Sequence, residues 1–297
     1  MNWLPRLGVA LAAAIWGGAF VALKVLLAPA GPLDPWELAW CRYAPSALVF
    51  LILALCLVPR EFLGLARLRP GLALITGLLG VAAYNVSLHL AESRLPASLT
   101  LLIVAANPVL TLALSGEPFT ARRILGSALA LAGLAAVLLC APHAGNGGWG
   151  PDPLWGLLAA VAAGFCWSGY SLLSGRLSKE AGPLAVTALT TVLGTLPLLV
   201  MAPRSAALVE RISSAGSMAW AWVAYLVLLS TLAAFLLYAW GIKRLGAASA
   251  SLWLYLMPAF GLLWGRNVLD EKVNGAQLAG AAVLIAGVAL ATRRKAG

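Results

Sequence analysis

Apolar runs alternate with short polar segments along nearly the whole chain. Most runs are close to the length of about 20 residues that a helix needs to cross the hydrocarbon core of a bilayer. The pattern predicts ten membrane-spanning helices, at residues 7–27, 36–58, 71–91, 97–115, 123–141, 154–174, 183–202, 218–241, 247–265 and 276–292. The first run is longer than the apolar core of an ordinary signal peptide, so we expect it to be retained.

Composition supports a membrane protein. Hydrophobic residues make up 62% of the 297-residue chain and charged residues 10%, with a mean hydropathy of +0.94. Soluble domains carry about 25% charged residues. The net charge of +10 comes from short clusters between the apolar runs, such as Arg67 and Arg69, and not from a basic face that could follow phosphates. We therefore expect no nucleic-acid partner.

The distribution of Lys and Arg predicts the orientation. With the N-terminus inside, the inner segments hold roughly twice as many Lys and Arg residues as the outer ones, as expected for cytoplasmic loops. The Pro- and Gly-rich linker at 142–153 has no Lys or Arg and falls outside. The sequence thus predicts a multi-pass protein of the cell (inner) membrane with both termini in the cytoplasm.

The second half of the chain repeats features of the first. The stretch RLPASLTLLIVAANP, from Arg94 to Pro108, returns as RLGAASASLWLYLMP, from Arg244 to Pro258. Other features recur at nearly the same offset, namely Glu117 with Gly126 and Gly133 against Glu271 with Gly280 and Gly287, and Trp16 with Gly18 against Trp167 with Gly169. We interpret this as an internal duplication with units at 1–145 and 146–297.

Five predicted spans in each unit place the second copy upside down in the membrane. Inverted repeats are common in secondary transporters, whose substrate site lies near the midplane between the repeats. The fold class predicted is therefore an all-α polytopic membrane protein, with ten transmembrane helices as two inverted five-helix repeats around a central cavity.

The order and duplication of these features resemble the EamA family of the drug/metabolite transporter superfamily. They include a first helix with Trp and Gly in each half, a fourth helix entered through RLPAS or RLGAAS, and Arg42 on the second helix. Within the superfamily, the chain is most similar to exporters of aromatic amino acids. This resemblance implies a basket of helices around a cavity lined mainly by helices one, three, four, six, eight and nine, which opens alternately to each side.

Polar residues inside the predicted spans are the first candidates for a binding site, because polar groups in lipid usually face a cavity or a partner. Tyr84, Asn85 and His89 lie on the third helix, and Asn107 precedes Pro108 on the fourth. They form either one wall of a substrate cavity or hydrogen bonds between helices.

Aromatic residues are the second group of candidates. They would give the cavity an apolar wall that still offers O–H or N–H groups, or they would belong to belts at the membrane interface. Together the two groups predict the substrate-binding residues Tyr84, Asn85, His89, Asn107, Trp167, Tyr170, Ser171, Tyr238 and Trp253.

Three further features each allow more than one interpretation. Pro108 and Pro258 leave the carbonyls of Val104 and Leu254 without a helical partner, which exposes them to substrate or kinks the helix. Arg42 could bind a carboxylate, fix a loop or extend to the nearby surface. The small residues of the fifth and tenth helices could support a dimer, so the chain is predicted to be a monomer or a homodimer.

Other classes of function lack their chemistry in this sequence. An enzyme would need a nucleophile with a base or a set of metal ligands, and a channel would need a polar ring or a filter loop. The four cysteines show no ligand-like spacing, so we predict no metal and no cofactor. The sequence therefore favours a carrier of small organic solutes, foremost aromatic or other apolar amino acids moved outward, with other metabolites or drugs as the alternative.

Overall fold

The computed structural model of the protein describes residues 3–27, 31–95, 97–140, 151–200, 208–270 and 272–292. Glu271, most of the linker at 142–153 and the predicted unit boundary at 145/146 lie outside these residues. The principal helices are α1 Trp3–Leu26, α2 Pro35–Leu57, α3 Pro70–Glu92, α4 Ala97–Val104 with Asn107–Leu114, α5 Ala121–Leu139, α6 Pro153–Leu177, α7 Pro183–Val200, α8 Ser217–Leu245, α9 Ala247–Leu269 and α10 Gly275–Thr292.

Nine of these helices are long and apolar enough to cross a membrane, in the part of the chain that the structure describes. Only α4 is shorter, because it is broken at residues 105–106. Two short helices that the hydropathy pattern did not predict also occur, Pro59–Leu68 between α2 and α3 and Leu208–Ser214 before α8. The protein is therefore an all-helical membrane protein.

Several helix starts follow directly from the sequence. Asp34 accepts hydrogen bonds from the backbone N–H groups of Trp36 and Glu37, and the Glu37 carboxylate accepts one from the Asp34 N–H. This reciprocal capping satisfies backbone donors at the start of α2. Proline has no N–H to lose at the first helical position, and it occupies that position at Pro35, Pro59, Pro70, Pro153 and Pro183.

Proline also explains the break in α4, which the sequence predicted as a continuous span. Pro108 cannot donate to the carbonyl of Val104, and the two segments of α4 meet just before it. The Ala106 N–H bonds to the Ile103 carbonyl at 3.1 Å, in a tighter turn than that of an α-helix. In α9, the turn before Pro258 also narrows, to a 3₁₀ segment at Leu252–Leu256, but the helix continues.

Two other helices contain a wider turn. Leu78–Ala83 of α3 and Tyr225–Ala233 of α8 are π-helical. In α8 the Thr231 hydroxyl donates to the Leu226 carbonyl five residues earlier, at 2.9 Å. Wide turns of this kind frequently occur at functional sites, because they disturb the regular pairing of backbone groups.

The helices pack in a reciprocal pattern. Helix α1 packs against α8 and α9, while α6 packs against α3 and α4. Helix α2 lies against α7 and the wide turn of α8, while α7 lies against α2 and the wide turn of α3. Helices α5 and α10 form the most extensive pair.

Glycine is what brings α5 and α10 together. Gly126 and Gly133 of α5 face Gly280 and Gly287 of α10, and a Cβ on any of the four would meet backbone atoms of the other helix at distances that real Cβ atoms avoid. Small residues at such positions allow close helix approach in membranes. The glycines that suggested a dimer are therefore used within one chain.

Candidate functional site

Aromatic side chains from α1, α3, α6 and α8 meet in one buried cluster. Trp167 lies at its centre, with its ring centroid 5.2 Å from that of Tyr84, 5.3 Å from Tyr170 and 5.5 Å from Trp16. Phe235 and Tyr238 of α8 complete the cluster, each 5.9 Å from Trp167. Most of these pairs are edge-on or tilted, an arrangement that is favourable between aromatic rings. We call these six residues the aromatic cluster.

The wide turn of α8 contributes to the position of this cluster. The indole N–H of Trp16 donates to the backbone carbonyl of Ser230 at 2.8 Å. A carbonyl inside a regular α-helix is normally occupied by the N–H four residues later, whereas a π-helical turn changes this pairing. Trp16 is thereby held by backbone as well as by ring contacts.

Small hydroxyl groups surround the rings. The hydroxyls of Ser171 and Tyr238 are 2.9 Å apart, and the Ser168 hydroxyl donates to the Asn107 carbonyl at 3.0 Å. The Trp167 indole N–H interacts with the Tyr238 hydroxyl but makes no well-aligned hydrogen bond among the described residues. The cluster therefore offers donors and acceptors within a mainly apolar environment.

The predicted polar residues fall into two places. Asn85 is buried and donates to the Val81 carbonyl at 2.6 Å, one turn earlier on α3. Asn107 is buried with its side-chain oxygen unpaired among the described residues. His89 lies farther along α3, where its ring packs edge-on against Trp36 at 5.3 Å and its Nδ1 is 3.7 Å from the Glu92 carboxylate.

A cavity of about 680 Å³, lined by both charged and apolar residues, opens at the end of the bundle where α1 begins and α10 ends. Its wall comes from the start of α1, the connection between α4 and α5, the junction of α8 with α9 and the end of α10. The lining residues are Arg6, Glu117, Pro118, Thr120, Ala121, Arg122, Arg123, Leu245, Ser249, Leu252, Trp253, Ala291 and Thr292.

Arg123 organises this cavity. It forms an ion pair with Glu117 at 2.8 Å and donates to the Ser249 hydroxyl at 3.3 Å, which joins the connection after α4 to the start of α9. Leu245 and Trp253 line the cavity and also pack against the core that contains the aromatic cluster. The cavity therefore reaches the core that contains the aromatic cluster, but none of the six cluster residues lines it.

The structure places the predicted binding residues in different surroundings. Of the nine predicted residues, Trp253 lines the cavity, whereas Trp167, Tyr170, Ser171 and Tyr238 are packed in the core. The reason is that neighbouring aromatic rings fill the space between them in this state. The wall instead contains Arg6, Arg122 and Arg123, which the sequence analysis used only for orientation.

Two members of the cluster were not predicted as binding residues. Trp16 was identified only as a feature of the internal repeat. Its match with Trp167, at an offset of 151 residues, nevertheless placed it on the equivalent helix. Phe235 carries no polar group, so a search for polar residues in the spans could not find it.

At the opposite end of the bundle, several contacts between described residues join the helices. Arg211, on the short helix Leu208–Ser214, forms an ion pair with Glu37, whose side chain is 7% exposed. Nearby, the Tyr225 hydroxyl donates to the Ile15 carbonyl at 2.7 Å and the Trp264 indole donates to the Ala14 carbonyl at 3.1 Å. These contacts fasten α8 and α9 to α1.

Replacing Arg211 with alanine should destabilise the protein by about 1–3 kcal/mol, because it leaves the buried Glu37 carboxylate without its charged partner. Thermal unfolding in detergent, followed by intrinsic fluorescence, measures the change. The matched control is Arg69→Ala, which breaks the more exposed Arg69–Glu180 pair and should cost about 0–1 kcal/mol. Equal melting temperatures for the two variants would contradict a stabilising role of the Arg211–Glu37 pair.

Comparison with known proteins agrees with this architecture. The sequence model of the EamA-like transporter family matches the chain at residues 4–139 and 154–293. A probable terminal-alkyne amino-acid exporter of Streptantibioticus cattleyicolor is 31% identical, over 95% of this chain and 91% of its own. The uncharacterized transporter YdfC of Bacillus subtilis is 29% identical, over 92% of this chain and 86% of its own.

More distant likenesses also span the chain. The uncharacterized inner membrane transporter YedA of Escherichia coli is 25% identical over 98% of this chain and 92% of its own. A crystal structure with 21% identity superposes with a TM-score of 0.78 over 98% of this chain and 97% of its own, which shows a shared fold. The family match covers most of both halves, and the chain belongs to the EamA-like transporter family.

Proposed function

We propose that this protein is a secondary carrier that moves aromatic or other apolar amino acids out of the cell by alternating access. The observation that carries the proposal is the aromatic cluster at the meeting point of α1, α3, α6 and α8, in the core that Leu245 and Trp253 join to a cavity open to one side. Such a cluster offers an apolar surface and a few O–H and N–H groups, which suits a small solute with an apolar side chain.

The proposal includes two inverted units of five helices, 1–145 and 146–297. Its support is the reciprocal packing, in which α1 and α6 contact equivalent partners, and the occurrence of a wide turn in both α3 and α8. The two separate matches to one family model are consistent with a duplication. Rocking of one unit against the other would then expose the site to each side in turn.

The direction of opening follows from the predicted orientation. With both termini in the cytoplasm, the cavity faces the cytoplasm and the end that contains the Glu37–Arg211 ion pair faces outward. This state would accept a cytoplasmic solute. Export is the direction that the probable amino-acid exporter of Streptantibioticus cattleyicolor suggests. We further propose that, within the family, the chain is most similar to the bacterial aromatic amino-acid exporter YddG.

Transport by purified protein tests the proposal. Proteoliposomes loaded with unlabelled L-phenylalanine should accumulate labelled L-phenylalanine by exchange, with saturation as the external concentration rises. Protein-free liposomes provide the baseline, and a panel of other amino acids and organic cations tests the alternative of a metabolite or drug exporter. An ion conductance without saturable exchange would refute a carrier.

A pH gradient across the liposome membrane, applied in the same exchange assay, tests whether transport is coupled to proton movement. His89 is the sole histidine among the described residues, and its ring lies beside Trp36 and near the Glu92 carboxylate, away from the cavity wall. We therefore expect exchange of L-phenylalanine to persist in His89→Gln. Loss of exchange in that variant, with an unchanged melting temperature, would give His89 a part in transport.

A further inference from the structure

Arg42 carries a fixed positive charge about two turns into α2. Its Nε donates to the Thr231 hydroxyl at 2.9 Å and its Nη2 donates to the Ser230 hydroxyl at 3.1 Å, both on α8. The guanidinium carbon lies 5.0 Å from the centre of the Tyr43 ring. The guanidinium is thus held in place between two helices by neutral groups.

Arg42 has no carboxylate partner among the described residues. The ion pairs found there join Glu37, Glu92, Glu117 and Glu180 to other residues. An arginine remains charged under all physiological conditions. A charge within a membrane span is costly unless it is paired, so its retention there marks a functional position.

The part of the Arg42 guanidinium that has no hydrogen-bond partner among the described residues has a suitable shape to bind an anion. Thr231 and Ser230 occupy the edge formed by Nε and Nη2. The remaining N–H groups are those of Nη1 and the second one of Nη2, which lie side by side at the end of the group. Two parallel N–H donors of this kind match the two oxygens of a carboxylate.

Arg42 is also next to the aromatic cluster. Ser230 accepts the Arg42 bond through its hydroxyl and the Trp16 bond through its carbonyl, so one residue joins the cation to the cluster. The ring of Tyr43, over which the Arg42 guanidinium lies, packs in the same core as the cluster. A cation with an edge that is unpaired among the described residues therefore lies beside a mainly apolar surface.

We infer that Arg42 binds the carboxylate of the transported solute, with its apolar side chain placed against the aromatic cluster. The inference rests on the proposed function and adds to it the chemical group that is recognised. The carrier would then select amino acids over the corresponding amines by their free carboxylate, which Arg42 binds.

Binding to purified protein in detergent tests the inference separately from transport. Quenching of tryptophan fluorescence is measured with L-phenylalanine, with 3-phenylpropionate, which lacks the amine, and with phenethylamine, which lacks the carboxylate. In Arg42→Gln, the affinity for both carboxylates should fall roughly tenfold or more, as expected for the loss of charge-assisted hydrogen bonds, while the weak binding of phenethylamine should not change.

Two further variants separate binding from structure. Arg42→Lys keeps the charge without the paired donors and should recover part of the affinity for 3-phenylpropionate. Arg67→Gln removes an exposed arginine on the short helix Pro59–Leu68 and should bind all three compounds as the unmodified protein does.

Each outcome has a distinct meaning. Equal loss of all three compounds in Arg42→Gln, together with a lower melting temperature, would show that Arg42 only joins α2 to α8 and would overturn the inference. Failure of the unmodified protein to bind either carboxylate would overturn it as well. Binding of carboxylates that depends on Arg42, without exchange in proteoliposomes, would instead refute the proposed transport and leave the binding site standing.

Discussion

Gly287→Leu should destabilise the protein by more than about 3 kcal/mol, at or above the upper end of the usual cost of overpacking. A Cβ at this position would lie 2.6 Å from the carbonyl oxygen of Gly126 and 2.9 Å from the Cα of Ala130. Backbone atoms cannot move aside as a flexible side chain can. The α5–α10 pair must therefore separate, and the packing along both helices is lost with it.

The matched control lies on the same helix. A Cβ added to Gly275, at the start of α10, would meet no heavy atom within 4 Å, so Gly275→Leu adds the same side chain without a clash. Melting temperature and the yield of monodisperse protein in size-exclusion chromatography measure both variants. If Gly287→Leu and Gly275→Leu behave alike, the close contact of α5 and α10 is wrong.

Trp167→Ala should also strongly destabilise the protein. The ring lies within 6 Å, centroid to centroid, of five other aromatic rings, and removing a buried tryptophan costs about 3–5 kcal/mol. If the cluster forms the surface that receives the solute, the affinity for L-phenylalanine should fall in parallel. Because the substitution removes a fluorescent tryptophan, stability is measured by calorimetric melting, and transport is measured by exchange of labelled L-phenylalanine.

Trp155→Ala is the control for this variant. Trp155 is near the start of the same helix, α6, and is 62% exposed, as expected for a residue at the membrane interface. Its removal should change neither stability nor exchange appreciably. Unchanged exchange in stable Trp167→Ala protein would show that the cluster is a structural core and not a substrate surface.

Hydropathy predicted the long helices well because crossing a bilayer requires a long apolar run. The span placed at 36–58 is observed at Pro35–Leu57, and the one placed at 154–174 at Pro153–Leu177. The short helix Pro59–Leu68 was missed because it is amphipathic and not apolar: Phe62 and Leu65 are buried, while most of its other residues face outward. Its helical spacing of apolar residues could have revealed it.

The site was less predictable than the spans. Residue type identified Trp167, Tyr170 and Tyr238 as candidates, but the sequence does not tell whether rings from different helices fill the space between them. The hydroxyl partners of Arg42 lie 188 and 189 residues away on α8. Such pairings depend on how helices pack, which spacing along one helix cannot reveal.

The wide turns of α3 and α8 have a consequence for the length of these helices. Successive residues of an α-helix are rotated by about 100°, so loss of one residue within such a turn would swing everything after it to another face. On α8, Phe235 and Tyr238 follow directly after the turn at Tyr225–Ala233, and on α3, Tyr84 follows the turn at Leu78–Ala83. During divergence, a deletion in either of these two short stretches should therefore be tolerated less well than a deletion in a surface loop.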